Sequence, residues 1–174
     1  AVEGRHAMNM RKPAGMVDVA VAGGGAVGAA AALGFARLGM SVALVEARVP
    51  EPWSADATDL RVYALAPDNV GLLDALGAWA PVQVARAHPY LRMRVRDAAG
   101  GGELAFDADV LGRRELGWIV ENGLLVDRLW AAMRQAGVVV HAGVAVESLR
   151  QDATRVTLGL ADGRSLPASL VVAA

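Results

Sequence analysis

The stretch "VDVAVAGGGAVGAAAALGFARLGMSVALVEAR", Val17–Arg48, holds three consecutive glycines inside eighteen uncharged residues, Val19 to Ala36. A run of that length meets the threshold for a transmembrane helix. Its content does not: Gly23, Gly24 and Gly25 would each cost roughly 1 kcal/mol relative to alanine in a helix interior. The flanks read differently. Val17–Ala22 is a short apolar run bounded by glycine, which predicts a buried strand. Ala26–Leu38 predicts an alanine-rich helix ended by Gly39, and Ser41–Glu46 a second buried strand. Together they form a β-α-β unit, whose crossover makes the two strands parallel neighbours.

Between the first strand and the helix lies Gly23-Gly24-Gly25-Ala26-Val27-Gly28, a G-x-G-x-x-G match. By itself such a match is weak. Here it follows a strand and opens a helix, the context in which the pattern has a mechanism. Gly23 permits the tight turn, Gly25 lets the backbone approach a pyrophosphate, and Gly28 lets helix and sheet pack closely. The helix N-terminus offers its free N–H groups, with the Ala26–Val27 backbone, to phosphate oxygens. Glu46 ends the second strand eighteen residues after Gly28, where a carboxylate can accept hydrogen bonds from adenosine ribose hydroxyls. An acid at that position disfavours a 2′-phosphate and so argues against NADP in this site.

The remaining chain sets the context. At 174 residues it suits one domain. The formal charge of -1 supplies no electrostatic reason to expect nucleic acid. The absence of cysteine excludes disulfides, thiolate catalysis and cysteine metal sites. Residues 1–16, "AVEGRHAMNMRKPAGM", carry no apolar signal core and read as a flexible leader. His6, His88 and His141 have no partner at metal-ligand spacing, so no metal is expected. Trp53, Trp79, Trp118 and Trp130 are scattered and read as packing.

Ala47–Arg61 is irregular, and Ala66–Trp79 reads as one helix with Pro67 in its first turn. Leu91–Asp97 and Glu103–Asp107 alternate around "AAGGG" as a hairpin, and Trp118–Glu121 is a short strand. Leu124–Gln135 is an amphipathic helix, with Leu125, Leu129, Ala132 and Met133 on one face. Val138–His141 reads as a buried strand. Val144–Ser165 reads as a β-meander whose Asp162–Gly163 turn carries the type I′ signal, and "SLVVAA" as a last buried strand. The expected fold class is therefore α/β: a Rossmann-like dinucleotide-binding domain with a parallel central sheet, an inserted helix/hairpin region and a β-meander. The third parallel strand comes about ninety residues after Glu46. So long an insertion favours FAD over NAD, because extra structure must cover the flavin half of the larger ligand.

Four segments carry a resemblance to a known group: "DVAVAGGGAVGAAAALGFARLGMSVALVEAR", "DLRVYALAPDNVGLLDALGAW", "LGWIVEN" and "SLVVAA". In this order and spacing the chain resembles the FAD-dependent aromatic-ring hydroxylases, most closely their ubiquinone-biosynthesis branch, over Val17–Ala174. The resemblance implies an FAD-binding domain over 17–174. Members of the family continue from the last strand into Asp-Gly, a later flavin motif and a sheet covering the substrate, so this chain corresponds to an N-terminal portion.

The resemblance also assigns roles. Gly23, Gly25, Ala26, Val27 and Gly28 would hold the pyrophosphate and Glu46 the adenosine ribose, with Arg48 beside the adenine end. Arg61, in "DLRVYAL", matches an arginine that approaches the cofactor; the alternative is a surface ion pair with Asp59 or Asp56. Asn122 matches an amide-bearing residue near the flavin, or serves as the N-cap of the helix that follows.

The implied chemistry is hydroxylation of an electron-rich polyprenylphenol ring by O2 on reduced FAD, with NAD(P)H as transient electron donor. The implied location is cytoplasmic, with peripheral association at the inner face of the membrane or membership of a biosynthetic complex as the expected partnerships. The cofactor carries that chemistry, and no catalytic side chain is assigned in this portion. Two other readings stand beside it. One is a different FAD-dependent oxidase or dehydrogenase such as an amine oxidase, against which "LGWIVEN" and "RVYALAP" argue. The other is an inactive, truncated Rossmann-like module.

Overall fold

The computed structural model describes residues 15–174. The leader expected over residues 1–16 lies outside them except for Gly15 and Met16. The glycine-rich stretch resolves as anticipated into β1 (Val17–Ala22), α1 (Ala26–Arg37) and β2 (Val42–Glu46). Among the described residues no helix is long and apolar enough to cross a membrane.

After β2 the chain runs irregularly to β3 (Val62–Leu65), then α2 (Pro67–Ala75), α3 (Trp79–Arg86) and β4 (Ala87–Tyr90). The hairpin β5 (Arg92–Arg96) and β6 (Glu103–Asp107) follows, then β7 (Gly117–Glu121) and α4 (Asn122–Gln135). The chain closes with β8 (Val139–Ala142), β9 (Val146–Gln151), β10 (Val156–Leu160) and β11 (Ser165–Ala173).

The main sheet has the order β8-β2-β1-β11-β10-β9. Its first four strands are mutually parallel, and β11 then pairs antiparallel with β10. The region between β2 and β8 folds on its own strands, the three-stranded sheet β3-β7-β4 and the hairpin β5-β6.

Alternation along β1 and β2 sends opposite parities to opposite faces. Val19, Val21 and Leu44 pack with Ala29, Ala32 and Leu33 of α1 and with Leu125, Leu129 and Met133 of α4. Ala20, Ala43 and Val45 face the other way, with Leu158, Leu160 and Leu166. Leu33, Leu44, Leu129 and Met133 are completely buried, each stabilising the fold by roughly 1.5–3 kcal/mol.

Three details differ from the sequence reading. The helix expected over Ala66–Trp79 is two helices. Gly77 adopts φ +71°, and the N–H groups of Gly77 and Ala78 return to Asp74 and Leu73. That 5→2 and 6→1 pattern is a Schellman stop, and the same pattern ends α1 at Gly39 and α4 at Gly137. Second, the strand expected to be buried at Val138–His141 is β8, an edge strand with Val139 53% exposed; an apolar run does not reveal whether a second neighbour exists. Third, the Asp162–Gly163 turn is not type I′, which needs φ > 0 at both central residues. Only Gly163 is positive, and its N–H bonds the Leu160 carbonyl. The meander joins the main sheet, β10 pairing with β11 and β11 with β1.

Candidate functional site

The crevice at the carboxyl ends of β1 and β2 collects the glycine loop, Glu46 and Arg48. Each glycine there answers to a different neighbour. Gly23 has φ +112°, and a Cβ added to it would fall on the Ala174 carbonyl. A Cβ at Gly28 would fall on the Gly23 carbonyl, and one at Gly24 would meet Trp130 Cζ2 at 2.7 Å and Glu46 Cβ at 2.9 Å. Gly25 is unlike these. Its φ of -66° and ψ of -175° suit any residue, and a Cβ there would have no atom within 4 Å. The fold itself does not require glycine at position 25.

Gly25 is the N-cap of α1, which has no side-chain cap and no acidic residue in its first turn. Its N-terminal dipole end is left uncompensated, the arrangement that suits a phosphate anion. Glu46 ties the loop to the segment after β2. One carboxylate oxygen accepts from the Gly24 N–H and the other from the Arg48 N–H at 2.8 Å. The Arg48 residue is exposed.

Trp130, read from the sequence as packing, has a more specific part. Its indole Nε1 donates to the Gly24 carbonyl at 2.7 Å in a buried setting, and Arg134 lies over its ring at 5.4 Å. Gly24 is thus held at its N–H by Glu46 and at its carbonyl by Trp130. The only sequence signal was that Trp130 widens the apolar stripe of α4 beyond Leu125, Leu129 and Met133. Trp130→Phe leaves a buried carbonyl without a donor, which costs about 1–3 kcal/mol. Its melting temperature is expected to fall by about 3–10 °C, measured by circular dichroism; an unchanged melt would show that the bond does not hold the loop.

The second group of candidate residues sits at the other end of α4's first two turns, eight residues or about 12 Å along the helix. The Asn122 N–H donates to the Arg61 carbonyl at 2.8 Å, joining the two residues directly. The surface ion pair considered for Arg61 does not form. Its guanidinium donates to the Tyr63 hydroxyl at 3.1 Å and lies 5.7 Å from that ring, and only its backbone N–H reaches Asp59.

Asn122 is not the N-cap either. It is the first helical residue, Glu121 occupies the cap position without capping by side chain, and the capping carboxylate comes from Asp59. Asp59 Oδ2 accepts from the Gly123 N–H at 2.8 Å. The Arg61 and Gly123 backbone N–H groups, aided by the Asn122 side chain, hold the Asp59 carboxyl below its ordinary value.

Next to Asn122 lies the one buried charged residue among those described, Glu121. Its two oxygens accept from Trp53 Nε1 and Arg86 Nη1, both at 2.8 Å. The Trp53 indole N–H first, and the Arg86 guanidinium after it, hold the Glu121 carboxyl below its ordinary 4.5 against the opposing effect of burial. A carboxyl whose folded pKa is depressed contributes stability that is present above its unfolded pKa and lost as pH falls through the folded value. The stability advantage of the native chain over Glu121→Gln is therefore expected to be full at neutral pH and to shrink once pH drops below 4.5. Urea unfolding at pH 7 and in that acid range checks it; a constant difference would contradict the pairing.

Two concavities flank these residues. One of about 400 Å³ lies between the irregular segment Pro50–Asp59 and the start of α4, with Asn122 and Gly123 in its wall. The other, of about 670 Å³, is an apolar groove between α1 and α2 lined by Val27, Ala31, Leu38 and Leu72 among others. It offers little to orient a polar ligand.

A parallel sheet ordered 3-2-1-4 by its place in the β-α-β pattern, with an uncapped helix N-terminus over its carboxyl edge and an acid ending the second strand, defines a dinucleotide-binding domain of Rossmann type. Comparison narrows the class. Residues 16–174 match the family described as FAD binding domain, and the chain belongs to that family. It is 35% identical over 159 residues to the 3-demethoxyubiquinol 3-hydroxylase of Escherichia coli, covering 90% of this chain and 40% of that protein. To the ubiquinone hydroxylase UbiL of Rhodospirillum rubrum it is 33% identical, covering 91% and 37%. The chain thus spans about two fifths of the length of these curated relatives.

Solved structures share the fold. The p-nitrophenol 4-monooxygenase PnpA of Pseudomonas putida matches with a TM-score of 0.70 at 23% identity, over 91% of this chain and 40% of that one. The flavin-dependent monooxygenase PieE, solved with FAD and substrate, gives 0.71 at 24%, over 92% and 30%.

Proposed function

We propose that this chain is the FAD-binding portion of a flavin-dependent monooxygenase that hydroxylates the aromatic ring of a polyprenylphenol, a ubiquinone precursor, using O2 and NAD(P)H. The observation that carries the reading is similarity along nine tenths of the chain to two ubiquinone-ring hydroxylases. The domain over 17–174 forms the cofactor-binding part of the longer protein, with residues 1–16 as a leader.

Within it, Gly23, Gly25, Ala26, Val27 and Gly28 cradle the pyrophosphate. The open approach at Gly25 and the bare α1 N-terminus support that role. Glu46 receives the adenosine ribose and Arg48 flanks the adenine. Arg61 and Asn122, linked through backbone and Asp59, stand at the flavin side. Bound FAD supplies the redox and oxygen chemistry; these residues bind it, orient it and shield its ends. The substrate's polyprenyl tail places the whole protein at a membrane surface, on its cytoplasmic face.

The test is a turnover assay of the full-length protein loaded with FAD, given NADH or NADPH, O2 and a demethoxyubiquinol-type phenol. A product heavier by one oxygen is expected. Oxidation of the nicotinamide with peroxide released and the ring unchanged would overturn the hydroxylase reading and favour an oxidase. For the domain itself, protein incubated with FAD and desalted should keep the yellow flavin absorbance; a colourless protein would support an inactive module.

A further inference from the structure

We propose that Glu121 is a positioning residue for the cofactor site, acting as a latch that holds the irregular segment Trp53–Asp59 against the start of α4. The proposal rests on the FAD reading above. The segment has no helix or strand of its own, so something else must fix its course.

Three hydrogen bonds through Glu121 and its partner Arg86 do so, beside a longer one from the Trp53 N–H to Asp127 at 3.3 Å. Glu121 takes the Trp53 indole N–H directly at 2.8 Å. Arg86, paired to the other carboxylate oxygen at 2.8 Å, donates onward to the backbone carbonyls of Ala55 and Ala57. The Arg86 guanidinium also lies 5.3 Å from the Trp53 ring, and Arg128 lies 5.4 Å from the same ring.

What the latch positions is the tip of the segment. Asp59 leaves it to cap α4 at Gly123 and to bind the Arg61 N–H at 2.9 Å, and the Arg61 carbonyl takes the Asn122 N–H. Arg61 and Asn122 are therefore set in place by a loop whose only buried charge anchor is Glu121, the residue next to Asn122. Such a charge network orders the groups around it when complete; without the Glu121 charge, the half-exposed Arg86 loses the partner that fixes its direction toward Ala55 and Ala57. Glu121 needs no contact with the cofactor to act in this way.

The test uses the full-length protein and Glu121→Gln, which keeps the side-chain shape but loses the charge that pairs with Arg86. FAD affinity is expected to fall about tenfold. In the FAD-free protein, amide hydrogen exchange at Arg61, Asn122 and Gly123 is expected to speed up by about tenfold. Leu158→Ala, on the opposite face of the sheet, is the control for general destabilisation. It should lower the melting temperature while leaving FAD affinity and those three amides at the native values.

Native FAD affinity with native exchange in Glu121→Gln would overturn the latch alone. Failure of the native protein to bind FAD would overturn the cofactor reading, and the latch's role with it. If Glu121→Gln does not fold, Trp53→Phe decides by the same two measurements, since it removes one anchor and leaves the Glu121–Arg86 pair intact.

Discussion

Gly28→Ala is expected to destabilise the domain by at least about 3 kcal/mol and to lower its melting temperature by about 10 °C. The added methyl would sit far inside the 3.0 Å that real Cβ atoms keep from their neighbours, with the Gly23 carbonyl oxygen as the obstacle. That obstacle is backbone, so no side chain can swing aside. A second obstacle, the Ala174 Cβ at 3.3 Å, closes the direction in which the helix could retreat along β11. Relief requires α1 to lift from β1, uncovering the contact of Ala29, Ala32 and Leu33 with Val19 and Val21. Urea and thermal unfolding of the flavin-free protein measure the effect. A melt within about 2 °C of native, less than 1 kcal/mol for a chain of this length, would show that helix and sheet are not in the close contact described.

Gly25→Asp separates binding from folding and should move the two in opposite directions. The native φ and ψ of Gly25 are open to any residue, and a Cβ meets nothing within 4 Å. Aspartate at an N-cap accepts from the first helical N–H groups and complements the dipole, so the flavin-free domain should gain a few tenths of a kcal/mol. The same carboxylate takes the donors that a pyrophosphate needs and sets a negative charge against it. FAD affinity is expected to fall at least about a hundredfold, close to 3 kcal/mol. Flavin fluorescence titration beside a thermal melt reads both numbers. Retained affinity would move the pyrophosphate away from this helix end; lost stability would mean that Gly25 serves the fold after all.

What could be read from the sequence divides along sequence distance. The β-α-β unit, the hairpin around "AAGGG", and α4 with its Leu125–Leu129–Met133 stripe carry their signals within a dozen residues of themselves, and they appear where expected. Local signals also mislead. Val70, Leu73 and Leu76 keep helical spacing up to Gly77, a stop of the kind read at Gly39, yet the apolar Ala78 and Trp79 just past it read as more of the same helix. β3 and β4 went unread because each is four residues long and has its partner, β7, far along the chain.

The same division holds at the site. Glycine spacing and Glu46 mark the proposed nucleotide end because strand, loop, helix and strand are consecutive. The supports of that end are not. Trp130 meets Gly24 across 106 positions, Trp53 meets Glu121 across 68, and Asp59 meets Gly123 across 64. Glu121 did leave a trace, as the one acid closing the apolar strand "GWIVE". A charge in that position signals a buried partner but does not name it.

The pairing of β1 with β11 has a consequence for synthesis on the ribosome. Val17 lies beside Ala168 and Ala22 beside Ala173, about 150 positions apart, and the Ala174 N–H bonds the Ala22 carbonyl at 2.9 Å. The nucleotide loop is thus made about 150 residues ahead of one of its walls. Until then β1 carries an unpaired flank beside an apolar helix, a state exposed to mispairing with other nascent strands. Pairing so distant closes slowly, so translation rate through the β9–β11 region should govern how much of the newly made protein reaches a state able to take up its cofactor.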